Sequence, residues 1–327
     1  MSVVAVAESH YRRQVALARR VAEESAAAWR TLDPLRLDAS WAAESDRLLA
    51  LVTGGQALAA ADADGYVTAA LSAQHLDPAA AGAVNARSLA GVASDGRGLA
   101  TLLYEPVIAV KTALRPAGGR GATVEKAMTL GMLRLDTIVR TQLADAARVA
   151  VGVGVVARRS AGGWVRMLST PSCARCIVLA GKFYRWSSGF LRHPRCDCRH
   201  IPAAENTAGD LRTDPGKYFR SLPEPEQNKL LGRSGAQAVR DGADLAAVVN
   251  ARRGMTTTAA FGRTFATTRE GTTRRGLFAG YTTDDQGRLQ RRTGPPPRWR
   301  LMPEQIYTDA TDRDDAIRLL RHHGYLR

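Results

Sequence analysis

The sequence predicts a mostly α-helical protein in three parts. A helical N-terminal domain covers roughly 1–150. A small α+β domain of the zinc-knuckle type follows over 151–254, and a basic, extended C-terminal arm over 255–327 ends in a helix. Three observations predict this. Alanine-rich stretches with apolar residues at helical spacing fill the first 150 residues. All four cysteines of the 327-residue chain fall between Cys173 and Cys198. From Met255 to Pro303, Thr, Gly, Arg and Pro dominate, a composition with little core of its own.

The helical elements follow in order. "SHYRRQVALARRVAEESAAAWRTLD" is expected to start at a Ser9 cap, with Leu17, Ala18, Val21 and Ala28 on one face. "DASWAAESDRLLALVTGGQALAAADADGYVTAALSAQ" reads as two helices broken near Gly54 and Gly55. The next segment is loosened by Gly91, Gly96 and Gly98 and interrupted at Pro106. The clearest helix follows Thr123 as cap, with Val124, Met128, Leu135, Ile138 and Val139 along a core-facing stripe. "GGWVRML" then reads as a strand. Beyond the cysteines come a brief helix from Pro225 to Leu231, two short helices around Gly242, and a final helix capped by Thr311 or Asp312. That last helix offers Ile317, Leu319 and Leu320 for packing.

The cysteine segment has the spacing Cys173-x2-Cys176, sixteen residues, then His193-x2-Cys196-x-Cys198. Two ligand pairs separated by about fifteen to twenty residues suit a tetrahedral structural zinc site. Thiolates are soft ligands, which favours zinc. Five side chains compete for four places. Either all four cysteines bind and His193 packs beside them, or His193 replaces Cys196 or Cys198. Arg175, Arg192, Arg195 and Arg199 would offset the negative charge of a thiolate site. Two disulfides are the competing reading, and the clustering in a chain expected to fold in a reducing cytoplasm speaks for metal. The apolar stretch before Glu8 is too short for a signal peptide, and no apolar run reaches the ~18 residues of a membrane span.

Charge is unevenly distributed. Residues 1–150 carry 16 Lys/Arg against 15 Asp/Glu, whereas residues 151–327 carry 30 against 16. A block this basic points to a polyanion, double-stranded DNA first, bound without sequence preference. Catalytic constellations are weak. Of six histidines only His193 and His200 sit in an ordered-looking motif, and no G-x-S-x-G elbow accompanies Ser169 or Ser172. A nuclease reading of His193, Asp197 and His200 competes with metal binding. A helix-turn-helix at "AQAVRDGADLAAVVNARR" would place Asp241 where an apolar residue is wanted. No catalytic residue is assigned.

"GWVRMLSTPSCARCIVLAGKFYRW…FLRHPRCDCRHIP", "AQAVRDGADLAAVVNARRGM", "TTREGTTRRG" and "RLMPEQIY…DAIRLLRHHGYLR" together resemble the MuF-like (phage Mu protein F-like) minor capsid proteins of actinobacterial phages. The resemblance covers residues 160–327, and the first half shares only helical character. It implies a low-copy head protein in the virion, made in the bacterial cytoplasm. Such a protein would associate with portal or major capsid protein and with packaged DNA, not with a membrane. Family members are often labelled capsid maturation protease, so the resemblance keeps an enzymatic alternative open. By position it carries over the set Cys173, Cys176, His193, Cys196 and Cys198.

Overall fold

The computed structural model describes residues 1–115, 121–168, 172–188, 198–211, 213–260, 262–271, 281–283, 289–291 and 299–326. The chain forms two compact units: Met1–Ser169 with Lys182–Arg212, and Thr170–Gly181 with Thr213–Arg327.

Among the described residues, the α-helices of the first unit are α1 Val3–Arg30, α2 Leu37–Ala61, α3 Ala63–Ser72, α4 Leu99–Leu103, α5 Glu105–Leu114 and α6 Val124–Val156. The α1 helix begins at Ser2, whose side chain accepts from the Ala5 N–H, rather than at the expected Ser9. Val3, Val6 and Ala7 are buried, so the apolar face already runs ahead of Ser9. Thr123 caps α6 as expected, accepting from the Lys126 N–H at 3.4 Å. Along α6, Leu135, Ile138 and Val139 are buried, while Val124 is exposed.

Glycine serves helix contact here rather than helix breaking. The second helix runs through Gly54 and Gly55 and ends at Ala61. A Cβ on Gly55 would come within 3.1 Å of both Leu143 and Val21. A Cβ on Gly131 would lie 2.3 Å from the Trp29 ring and 2.6 Å from Val110. The missing side chains let α6 approach its neighbours closely, an advantage that outweighs the modest helix-propensity cost of glycine. Trp29, buried in that contact, gives its indole N–H to the Met128 carbonyl at 3.1 Å.

Strands β1 Gly163–Met167, β2 Phe183–Arg185 and β3 Arg199–Ala203 form an antiparallel sheet in the order β2-β1-β3. Val165 pairs with Phe183 on one side and Ile201 on the other. The sheet shares a core with Val6, Tyr66, Val67 and Val151 of the helices. The β3 edge is covered by side chains: Tyr66 donates to the His200 carbonyl, and Gln74 donates to the Pro202 carbonyl at 2.6 Å. Thus the division expected at residue 150 is replaced by one that keeps α6 whole and places β1–β3 with the helices. The reason is packing. Val151, Gly154 and Val155 continue the buried face of α6 beyond 150 and bury it in the same core as β1.

The second unit comprises α7 Ala174–Val178, α8 Pro215–Ser221, α9 Glu224–Leu231, α10 Arg233–Arg240, α11 Leu245–Arg253, α12 Pro303–Asp309 and α13 Arg313–His322. Its strands are β4 Met255–Ala260, β5 Arg263–Thr268, β6 Tyr281–Thr283, β7 Leu289–Arg291 and β8 Arg300–Leu301. They pair antiparallel as β4-β5-β8 and as β6-β7. Phe219, Leu231, Val248, Met302, Ile306 and Leu320 are fully buried.

The described part of 255–327 is therefore a folded portion of this unit, not the extended arm that its composition suggests. Two features explain the difference. The run Met255–Ala260 is threonine-rich and suits a pleated strand. Arg300 is 4 % exposed and draws the end of the chain inward. Its guanidinium lies 4.3 Å from the Tyr325 ring centre and donates to the His323 carbonyl at 2.9 Å. Burial lowers its pKa from the usual arginine range. Most of "GTTRRG" and "RRTGPPPRWR" lies outside the described residues.

Among the described residues, no helix is long and apolar enough to cross a membrane.

Candidate functional site

The cysteine segment is partly visible. Cys173 caps α7, its Sγ accepting from the Cys176 N–H at 3.4 Å. This turns a CxxC step into the start of a helix, with Cys173 exposed and Cys176 buried. Cys198 is buried and directly precedes β3. His193, Cys196, Asp197 and Ser169 lie outside the described residues. Cys173 and Cys176 belong to the second unit and Cys198 to the first. A separate zinc-knuckle domain over 151–254 is thus not shown by the described residues. Among the described residues, no group of three or more His, Cys, Asp or Glu is placed to hold a metal ion.

A concave site lies among the described residues of the first unit. It is a cavity of about 470 Å³ lined by α1, α3, α6 and the start of β3. A connected set of side chains builds one wall. Arg13 donates to Asp62 at 3.0 Å, and Asp62 faces His10 Nδ1 at 2.7 Å. The His10 ring stacks on Tyr66, centroids 3.9 Å apart and planes 4° from parallel. The Tyr66 hydroxyl holds the His200 carbonyl, and the His200 ring stacks against Trp164 at 5.8 Å. Burial alone would raise the Asp62 carboxyl, but hydrogen bonds from His10 and Arg13 outweigh it and hold the group below its usual range. An ionised Asp62 can only accept, so His10 Nδ1 carries the proton. The opposite wall is α6, with Asp136, Arg140, Thr141, Ala144, Ala147, Arg148 and Val151. Arg140 donates to Asp136 at 2.8 Å, and Arg148 to Asp145 at 3.0 Å.

Of these residues, the sequence singled out Cys198 as a metal ligand and His200 only in a competing nuclease reading. His10, Tyr66 and Arg140 carry no motif, and only their helical register relative to distant partners brings them together. Such long-range pairing leaves no local spacing to read.

In the second unit the Asp241 side chain is 4 % exposed and accepts from Tyr307 at 2.6 Å, Gln237 at 3.1 Å and Arg313 at 3.2 Å. Its burial would raise the carboxyl, yet these donors hold it below the usual range. The residue that argues against a DNA-reading helix pair is thus the tie between α10, α12 and α13.

No curated protein and no solved structure matches the chain. Residues 1–223 match the VG15 protein family, covering the whole first unit, the cysteine segment and the start of the second unit. The chain belongs to the VG15 protein family, a phage-related family of viral gene products.

Proposed function

We propose that the protein is a minor component of a phage head of the MuF-like kind, docking on portal or inner capsid with basic surface turned toward packaged DNA. The observation that carries this reading is the family match over residues 1–223. The charge pattern supports the DNA-facing part. The second unit carries 21 Lys/Arg against 13 Asp/Glu, and the first carries 25 against 18 over a longer stretch of chain. Exposed arginines such as Arg233, Arg253, Arg291 and Arg321 suit phosphate contacts that ignore base sequence. The role is structural: the protein binds and positions, and it does not process other head proteins.

The zinc reading stands beside it as a proposal from the donor set. The Cys173–Cys176 step has an N–H···S contact compatible with a thiolate pair, and His193, Cys196 and Cys198 offer the remaining ligands. Such a metal would supply folding energy rather than chemistry. Elemental analysis of protein purified under reducing conditions is expected to give about one zinc per chain, and protein free of metal would remove this proposal.

The head role is tested by co-expressing the chain with the portal of the same phage and isolating the portal by a tag. Stable co-purification is expected. A portal that assembles without retaining the chain, together with an inner capsid that also fails to retain it, would contradict the reading.

A further inference from the structure

The head-component reading does not call on the cavity of the first unit, yet its walls are built as a binding site is built. Its volume of about 470 Å³ lies within the ~300–1,000 Å³ of small-molecule sites. The inner surface is apolar and aromatic: Val151 and Ala147 are buried, as is Tyr66, whose ring is fixed by the His10 stack. The polar side chains are set before any ligand arrives. Asp62 holds His10, and Tyr66 is tied through its hydroxyl to β3. Preorganisation of this kind reduces the entropy lost on binding.

The charges of the lining are unequal. Among the described lining residues, Arg140 and Arg148 are the cations and Asp136 the carboxylate, Asp145 holds Arg148 from outside the lining, and His10, His200, Tyr11, Tyr66 and Cys198 are the further ionisable groups. Arg140 gives one donor, Nε–H, to Asp136, and its remaining guanidinium donors carry no hydrogen bond among the described residues. Its side chain is one-third exposed, at 33 %. Arg140, Ala144, Ala147 and Val151 follow one another at i, i+4, i+7 and i+11 on α6. This ladder is about 16 Å long at ~1.5 Å rise per residue, and it leads from a partly solvated cation to a buried apolar end.

We propose that this cavity binds a small organic carboxylate with a flat apolar body, its acid group on Arg140 and its ring between the Ala147–Val151 side and the Tyr66–His10 stack. A guanidinium with unused donors pairs with a carboxylate in its own plane. The apolar inner wall favours a hydrocarbon or aromatic body over a sugar or a phosphate-rich nucleotide. A cation of the same shape meets two arginines and is rejected.

Indole-3-acetate and tryptamine make a matched pair of probes, with the same ring and opposite head charge. In calorimetric titration of the full chain, indole-3-acetate is expected to bind at one site per chain, with tryptamine at least about tenfold weaker, the size of one charge-assisted hydrogen bond. Arg140→Met should weaken indole-3-acetate by about tenfold or more while leaving the thermal melt nearly unchanged, because the side chain is partly solvated. Ala144→Phe, which fills the space, should abolish binding. If that variant fails to fold, the Arg140→Met and head-charge comparisons still decide. Equal binding of both probes, unaltered affinity in Arg140→Met, or no saturable binding of indole-3-acetate would overturn the proposal. So would an acidic aromatic peptide that binds where the free carboxylate does not, since the occupant would then be a protein segment.

Discussion

The two units hold their folds by different means. The first relies on long amphipathic helices, with the 33-residue α6 contributing to both of its apolar cores. Its polar ties lie around these cores, and one of them, Arg158, is buried and engaged on several sides. Arg158 donates to Asp64 at 3.1 Å, the Gly154 carbonyl at 2.8 Å, Thr68 at 3.0 Å and the Pro78 carbonyl at 3.2 Å. The second unit uses helices of no more than ten residues and short strands, which are joined by buried polar residues: Asp241, Arg300 and His323. Where elements are long, side-chain volume specifies the structure. Where they are short, a few hydrogen-bonded nodes do, because short elements bury too little apolar area each to fix their mutual placement.

That contrast predicts different weak points. The largest effect should come from Gly131→Val, whose new atoms collide with Trp29 and Val110. A loss of about 3 kcal/mol or more is expected, since neither neighbour is a flexible chain end. Chemical denaturation followed by tryptophan fluorescence measures it, and a melt like the parent's would mean α6 sits differently. Next is Asp241→Ala, which leaves the Tyr307 hydroxyl and two further donors without their acceptor. The expected cost is about 2–3 kcal/mol, confined to the second unit and readable by hydrogen exchange in 213–326.

A smaller, pH-dependent effect belongs to the second unit. Burial, with His322 and Arg300 nearby, lowers His323 from 6.5 to about 3. The unfolded chain therefore binds a proton below 6.5 that the folded chain refuses. Stability is complete above pH 6.5 and declines as pH falls toward 3. Asp241 adds to the decline at the acid end, because its depressed carboxyl contributes stability only while ionised, and this is lost as pH falls below its unfolded value of 3.8. His323→Phe should flatten the upper part of this profile. An unchanged slope between pH 6.5 and 4 would show that His323 is not the group responsible.

The smallest expected effect is none. Ser172→Ala and His200→Gln should leave the mass of co-expressed major capsid protein unchanged, as the parent should. A specific cleavage present with the parent and lost in either variant would restore the enzymatic alternative.

Much of the first unit was legible because helical periodicity is a local signal. The Thr123 cap, the Leu135–Ile138–Val139 face and the "GGWVRML" strand could all be read without knowing their partners. Gly55 and Gly131 could not. A glycine that breaks a helix and one that admits a neighbouring ring look alike in sequence, and only the position of Trp29 separates them. The C-terminal portion was misread for a related reason. Its composition is that of a solvated tail, but Arg300 and Tyr325 tie it to the folded unit through a pairing 25 residues apart. The cavity was illegible because His10, Tyr66, Arg140 and His200 come from four separate elements.

The central claim is that this is a head component, and the most direct measurement is quantitative mass spectrometry of purified virions of the phage that encodes it. The account predicts peptides from both units in intact particles at a copy number near that of portal and far below that of the major capsid protein. Their absence from virions, with the protein abundant in the infected cell, would contradict it.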